Sequence, residues 1–302
     1  MIERLIERFR HGDRLALARL MSLAARGELP RDTLGALQSS KPARVVAITG
    51  SGGVGKSSLV GRLITVVRDQ GLKVAVLACD PQSPLSGGAL LGDRVRMAGK
   101  PDDDGVFIRS LAALSGQSAL AAHLDTMIRL CEAFGMEVVL IETAGAGQGD
   151  TAVHALADVV VLLLQPETGD DLQREKAGVF EVADVLVVHK ADMPGAEQAF
   201  AQVRAAAELA TPPVPVLKAS ARTGEGLAEL WRLVAGRPLR RQADQVDKDL
   251  LVAIQEELAR RFESALAGGV KGVRDLVSRW RQGSVSSHEA ATAVLDLLLN
   301  EP

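Results

Sequence analysis

Between Arg44 and about Arg237 the chain alternates two hydrophobic rhythms. Short runs rich in Val, Ile and Leu occur at 45–49, 74–79, 106–109, 137–141, 158–164, 184–188 and 214–218, and the stretches between them place apolar residues every three to four positions. Short runs with apolar residues at consecutive positions fit strands covered on both faces, and the intervening spacing fits amphipathic helices. Their alternation predicts an α/β domain: a mostly parallel sheet with helices on both faces. In such sheets ligands collect at the carboxyl ends of the strands.

The flanks are helical in pattern. Ile2, Leu5, Ile6 and Phe9 share one face, and Leu15, Leu17, Leu20, Met21 and Leu23 repeat the spacing before Pro30 and Asp32 mark a break and a new cap. This segment, 1–43, reads as a helical lid packed on the domain that follows, 44–238. After Pro238 the composition turns polar, and Leu250, Ile254, Leu258 and Phe262 recur at four-residue spacing up to Gly268-Gly269. A second helix follows around Val273, Leu276, Val277 and Trp280, and a third begins at Ser286 with Glu289 three residues on, a capping-box pattern. The tail, 239–302, carries no cluster of catalytic residue types. A dimerisation arm and a simple packing appendage both fit it.

Composition narrows the class. With 302 residues, 47% of them hydrophobic, the chain can bury a sizeable core in about two domains. A net charge of −3 provides no electrostatic attraction to nucleic acid or to an acidic membrane, and neither is expected as a partner. Cys79 and Cys131 lie in apolar patterns and read as buried thiols without a metal-binding spacing. No segment reaches the roughly 18 uninterrupted apolar residues of a membrane span, and Met1-Ile2-Glu3-Arg4-Leu5 has no apolar signal core. The expectation is a cytoplasmic protein or a mature organellar form.

Chemistry begins at Gly50-Ser51-Gly52-Gly53-Val54-Gly55-Lys56-Ser57, which matches the phosphate-binding P-loop pattern G-x-x-x-x-G-K-[ST]. A strand-like run precedes it, and Ser58-Leu59-Val60-Gly61-Arg62-Leu63-Ile64 follows with helical spacing, as the motif requires. The glycines let the backbone curl around a phosphate, and the loop amides and helix N-terminus direct partial positive charge at it. Gly52, Gly53, Val54, Gly55, Lys56, Ser57 and Ser58 are therefore nucleotide-site candidates. Lys56 would reach the β- and γ-phosphates and Ser57 would offer its hydroxyl to Mg²⁺. Ser51 stands where the MinD and nitrogenase-iron-protein ATPases carry an extra lysine.

Asp80 and Glu142 each follow an apolar run, which places two carboxylates at strand ends near this loop. Oxygen ligands of that kind suit a Mg²⁺ that keeps most of its waters. Gly145, after Glu142-Thr143-Ala144, would let the backbone approach the γ-phosphate. The loop Ala146-Gly147-Gln148-Gly149-Asp150 has the glycines of a switch segment, and Gln148 reads equally as a water-orienting residue or as a solvated loop residue.

His189-Lys190-Ala191-Asp192 resembles the Asn-Lys-x-Asp guanine motif of GTPases, with His in place of Asn. A carboxylate at Asp192 can accept from the guanine ring NH and exocyclic amine, a donor pair that adenine lacks. The stem of Lys190 can cover the base. Ser220-Ala221 stands where GTPases place a backbone contact to the guanine carbonyl. His189 is the departure, since an imidazole differs from an amide in reach and in donors.

Two further stretches, from Asp80 to Met97 and from Gly169 to Gly178, together with the P-loop, Glu142-Thr143-Ala144-Gly145 and Ala191-Asp192, closely resemble the G-protein chaperones of adenosylcobalamin-dependent acyl-CoA mutases, the MeaB/ArgK family. The resemblance covers most of residues 12–300. It implies a P-loop GTPase of the SIMIBI type that binds GTP, GDP and Mg²⁺, with Asp80, Asp93 and Glu142 as acidic residues of the metal and switch region. It implies a homodimer, slow intrinsic hydrolysis and turnover stimulated by a mutase. Residues Gly169 to Lys176 would be a switch loop sensing that partner. The adenosylcobalamin would be held by the mutase, since this chain has no D-x-H-x-x-G.

Two other classes share the nucleotide pattern. A metal-insertion GTPase for a nickel enzyme would need Cys-Pro-Cys or a His-rich stretch, and this chain has neither. A P-loop kinase would transfer phosphate to an acceptor other than water. Asp102-Asp103-Asp104 beside Pro101 and Gly105 reads as an exposed loop, His123, His154 and His288 lack ligand spacing, and Trp231 and Trp280 read as helix-packing anchors.

Overall fold

All seven apolar runs are strands in the structure, a computed structural model that describes residues 2–30, 33, 37, 41–81, 103–113, 120–144, 150–166, 183–210, 212–241, 254, 258, 261–266 and 271–300. They are β1 (Arg44–Gly50), β2 (Val74–Pro81), β3 (Val106–Ala113), β4 (Val138–Glu142), β5 (Val159–Leu164), β6 (Val185–His189) and β7 (Val216–Ala219). The sheet order is β3-β2-β4-β1-β5-β6-β7, and each neighbouring pair is parallel. The four central strands β1, β4, β5 and β6 are buried almost throughout, which is why they read as unbroken apolar runs.

Successive residues serve opposite faces. Val45, Ala47, Val139 and Ile141 face a core built with α2 (Arg14–Ala25) and α4 (Leu124–Ala133). Val46, Ile48, Val138 and Leu140 face α3 (Lys56–Arg68) and α7 (Leu227–Ala235). Farther along, Leu162, Leu164, Leu186 and Val188 pack on α6 (Ala196–Ala207). A short helix, α5 (Asp150–Leu156), leads into β5. Helix α1 (Ile2–Arg10) buries Phe9, whose ring lies 5.2 Å from that of Phe134. Asp13 caps α2 by accepting from the amides of Leu15 and Ala16.

The chain divides into two compact units, Met1–Arg241 and Gln242–Pro302. The N-terminal helices belong to the first and share its core, with Leu17, Leu20 and Met21 fully buried. In the second unit, 261–266 are helical, α8 spans Lys271–Arg281 and α9 spans Ser287–Asn300. The capping box forms as the sequence spells it: Glu289 N–H donates to Ser286 Oγ at 3.2 Å and Ser286 N–H donates to Glu289 Oε2 at 2.8 Å. Among the described residues no helix is long and apolar enough to cross a membrane.

Two expectations need correction. In the loop expected to be exposed Asp104 is exposed, but Asp103 is half-buried: its two oxygens accept from Nε and Nη2 of Arg68, each at 2.9 Å, and so fasten the end of α3 to the loop before β3. Trp231 is an anchor, 2% exposed with its indole N–H on Gln70, but Trp280 is 47% exposed.

Candidate functional site

Parallel register brings the chemistry-bearing residues to one edge. Glu142 ends β4 opposite Ile48 of β1 and Ala78 of β2, so its carboxyl sits beside the turn that follows β1. That turn runs from Ser51 to Gly55 and opens α3 at Lys56. Gly55 holds φ at +101°, a left-handed conformation that glycine adopts without strain. Gly53 also has a positive φ, +76°, and a Cβ on Gly52 or Gly53 would meet nothing within 4 Å, which leaves open space over the loop.

Lys56 is 8% exposed, and its ammonium donates to the carbonyls of Gly50 at 2.9 Å and Ser51 at 3.0 Å. The side chain thus folds back over the loop it follows. Ser57 Oγ donates to Glu142 Oε1 at 2.6 Å, and Glu142 is 5% exposed. A hydroxyl and a carboxylate in contact at a helix N-terminus form an oxygen-only donor pair of the kind a hard divalent cation takes. Beneath them Thr143 and Thr49, both buried, join hydroxyls at 3.1 Å and tie the end of β4 to β1.

The second half of the site follows β6 and β7. His189 ends β6, is 3% exposed, and lies with Nδ1 2.8 Å from the carbonyl of Val54 in the P-loop. Its Nε2 accepts from the amide of Ala221 at 3.3 Å. Facing a carbonyl, Nδ1 must carry the proton, and facing an N–H, Nε2 must not; the ring is the neutral Nδ1–H tautomer. Burial, the largest influence, pushes its pKa below the usual value, in keeping with that form. The fit is close. A Cβ on Gly55 would come within 2.6 and 2.7 Å of the imidazole, so the ring rests on the bare backbone of the loop.

Lys190 adopts a left-handed φ of +57° and donates to Gln165 Oε1 at 3.0 Å. A non-glycine residue held there signals a backbone constrained by its surroundings. Asp192 accepts from Ser220 Oγ on Oδ1 and from Arg222 on Oδ2, and the first of these bonds is the main reason its carboxyl is held below the usual range. Ser220 is fully buried, and its hydroxyl also accepts from the Thr223 amide at 3.2 Å.

The structure thus brings together the P-loop residues from Gly52 to Ser58, Glu142, His189, Lys190, Asp192, Ser220 and Ala221. Asp93, Gly145, Gln148 and the stretch from Gly169 to Gly178 lie outside the described residues. For Asp80 only the backbone is described: it pairs with Ala112 near the carboxyl end of β2. Arg222, Gln165 and Thr49 were missed in the sequence. Arg222 directly follows Ser220-Ala221 and Gln165 directly follows β5, so position at the carboxyl edge was the available signal. Among the described residues no group of three or more His, Cys, Asp or Glu could hold a metal.

A family model described as methylmalonyl-CoA mutase-associated GTPase MeaB matches residues 22–265. A relative from Pyrococcus abyssi that carries a GTPase name is 34% identical across 98% of this chain and 96% of its own length. Part of a fused isobutyryl-CoA mutase from Nocardia farcinica is 37% identical over 83% of this chain, a match that takes up 25% of that longer protein. Among solved structures, a LAO/AO transport system kinase superposes with a TM-score of 0.63 at 23% identity, covering 99% of this chain and 98% of its own, which shows a shared fold. That fold is a seven-stranded parallel sheet with the P-loop between its first strand and the helix that follows.

Proposed function

The chain belongs to the family of methylmalonyl-CoA mutase-associated GTPases, MeaB, and from that premise we propose that it hydrolyses GTP to GDP and phosphate as the gatekeeper of a cobalamin-dependent acyl-CoA mutase. Hydrolysis is slow alone and faster on the mutase, and it times the loading, protection or repair of the mutase's adenosylcobalamin. The observation that carries the GTPase reading is the His189 bridge, which joins the phosphate loop at Val54 to the base loop at Ala221. An amide is replaced by an imidazole, yet both ends of one nucleotide site are held by one side chain.

In this reading the loop amides from Gly52 to Ser58 receive the phosphate chain. Lys56 exchanges its carbonyl partners for β- and γ-phosphate oxygens, and charge-assisted bonds of that kind are stronger. Ser57 and Glu142, with Asp80 and Asp93, would hold Mg²⁺, which neutralises charge on the phosphates. Gly145 would let the backbone approach the γ-phosphate, and Gln148 would orient the attacking water. At the other end Asp192 accepts from the guanine ring NH and amine, Lys190 covers the base, and the Ala221 region meets the guanine carbonyl.

The fused isobutyryl-CoA mutase supports an acyl-CoA mutase as the partner, because a relative of this chain is there joined to one by name. This chain acts as a homodimer, and its client's cobalamin stays with the client. Calorimetry with GDP and ADP tests the base site. Hydrogen-bond matching at a site built to accept from the base discriminates by about 10⁴-fold; comparable affinities would remove Asp192 from this role. Turnover measured with and without candidate mutases tests the partner, and absence of stimulation by any acyl-CoA mutase would sink the gatekeeper reading.

A further inference from the structure

Both oxygens of Asp192 are engaged. Ser220 donates to Oδ1, while Arg222 directs two donors at Oδ2, Nε at 2.7 Å and Nη2 at 2.6 Å. A carboxylate oxygen has two lone pairs, so the Arg222 fork uses the hydrogen-bonding capacity of Oδ2. A base that reads Asp192 needs acceptor positions on the same group. Ser220 is buried and fixed on its loop, so Oδ1 keeps that partner. The Arg222 side chain is 75% exposed against 13% for Asp192, so of the two partners Arg222 is the one with room to leave.

We infer that Arg222 is a specificity-site latch, a counter-ion that covers Asp192 when no base is bound and must swing away when guanine enters. This inference rests on the reading of Asp192 as the guanine acceptor. The latch makes nucleotide exchange an ion swap: the arginine covers the carboxylate that the departing base uncovers, which favours release of GDP. An exposed pair of this kind contributes little, so the latch weakens guanine binding by a small factor, about two- to fivefold. That is enough to tune exchange without abolishing binding.

The test is equilibrium titration of the full-length chain and of Arg222→Ala with GDP and with IDP, whose base lacks the exocyclic amine, at low and high salt. Arg222→Ala should bind GDP about two- to fivefold more tightly than the parent at low salt, and the ratio should approach one at high salt as the ion pair is screened. Unchanged or weaker GDP binding by Arg222→Ala at low salt overturns the latch. The parent's preference for GDP over IDP separates the two levels of the argument. If that preference is present and Arg222→Ala gains nothing, the latch alone fails and Asp192 stands; if the parent shows no preference, the reading of Asp192 fails and the latch with it.

Discussion

At the scale of single residues the site depends on one imidazole and one missing Cβ. His189 spends both ring nitrogens on bridging Val54 and Ala221, and Gly55 leaves it the space to do so. Gly55→Ala should cost about 2–4 kcal/mol, from a left-handed backbone and from overlap with the ring. His189→Ala removes the obstacle, so the double variant should be less destabilised than the sum of the two single ones. Chemical denaturation of the four proteins checks this, and strict additivity would mean that the ring and Gly55 do not compete for space. The same histidine carries a pH signature. Burial lowers its folded pKa below 6.5, so above that pH the ring is neutral in folded and unfolded chains alike. As the pH falls through 6.5 the unfolded chain takes up the proton first, and stability drops until the folded ring's own lower pKa is reached. His189→Asn keeps a donor but cannot titrate, so the loss of stability between pH 7.5 and 5.5 should be smaller than in the parent. Identical losses would show that His189 is protonated as easily folded as unfolded.

At the scale of elements the two edges of the sheet do different work. The carboxyl edge holds the candidate site, whereas the amino edge is closed by one buried acid, Asp158, and two half-buried ones, Asp184 and Glu132. Asp158, 4% exposed, accepts from the amides of Val45 at 2.9 Å and Arg241 at 2.8 Å. Asp184 accepts from the Val160 amide and from Arg240, and Glu132 accepts from Ala43 and Arg241. These acids tie the chain's entry into the sheet and its exit to the strands between them. Asp158→Ala should therefore destabilise the first unit by about 3 kcal/mol, because two amides lose their acceptor and Arg44 its neighbouring charge. GDP affinity of the folded fraction should be unchanged, since the substitution lies at the opposite edge; an affinity loss at temperatures where the variant is folded would contradict the division of labour. This edge was not legible in the sequence, for its pairs join residues far apart in the chain and leave no local pattern. The strands were legible because a parallel strand covered on both faces must be apolar at every position, and the P-loop because it is contiguous. His189 marks the boundary between the two. Its position after β6 could be read, but the span of its two nitrogens emerges only once β1, β6 and β7 lie side by side.

At the scale of the whole molecule the exposed apolar residues are unevenly shared. Among the described residues, four of the seven large exposed hydrophobics, Ile254, Trp280, Leu295 and Leu297, belong to the unit formed by the last 61 residues. Within that unit an open groove of about 550 Å³ is lined by Leu258, Phe262, Leu276, Trp280, Val294 and Leu295. Among the described residues the unit's own core consists of Ala265 and Val273, buried against Phe262, Leu266 and Val294. A helical unit that exposes this much apolar surface gains by covering it, and contiguous patches of this kind mark interaction sites. In the proposed homodimer this groove would be the contact, each copy presenting the same surface, as a two-fold contact requires. Leu295, 38% exposed, can be changed with little harm to the unit's own packing. Leu295→Glu places an uncompensated carboxylate in the contact, and burying it unpaired costs enough to split a dimer. Light scattering should then report the mass of a single 31.8 kDa chain for the variant and twice that for the parent. Because the P-loop and base loop lie in the other unit, the variant should keep its GDP affinity and single-turnover GTP hydrolysis. A parent that is monomeric at all accessible concentrations, or a variant that remains dimeric, would remove this groove from the assembly.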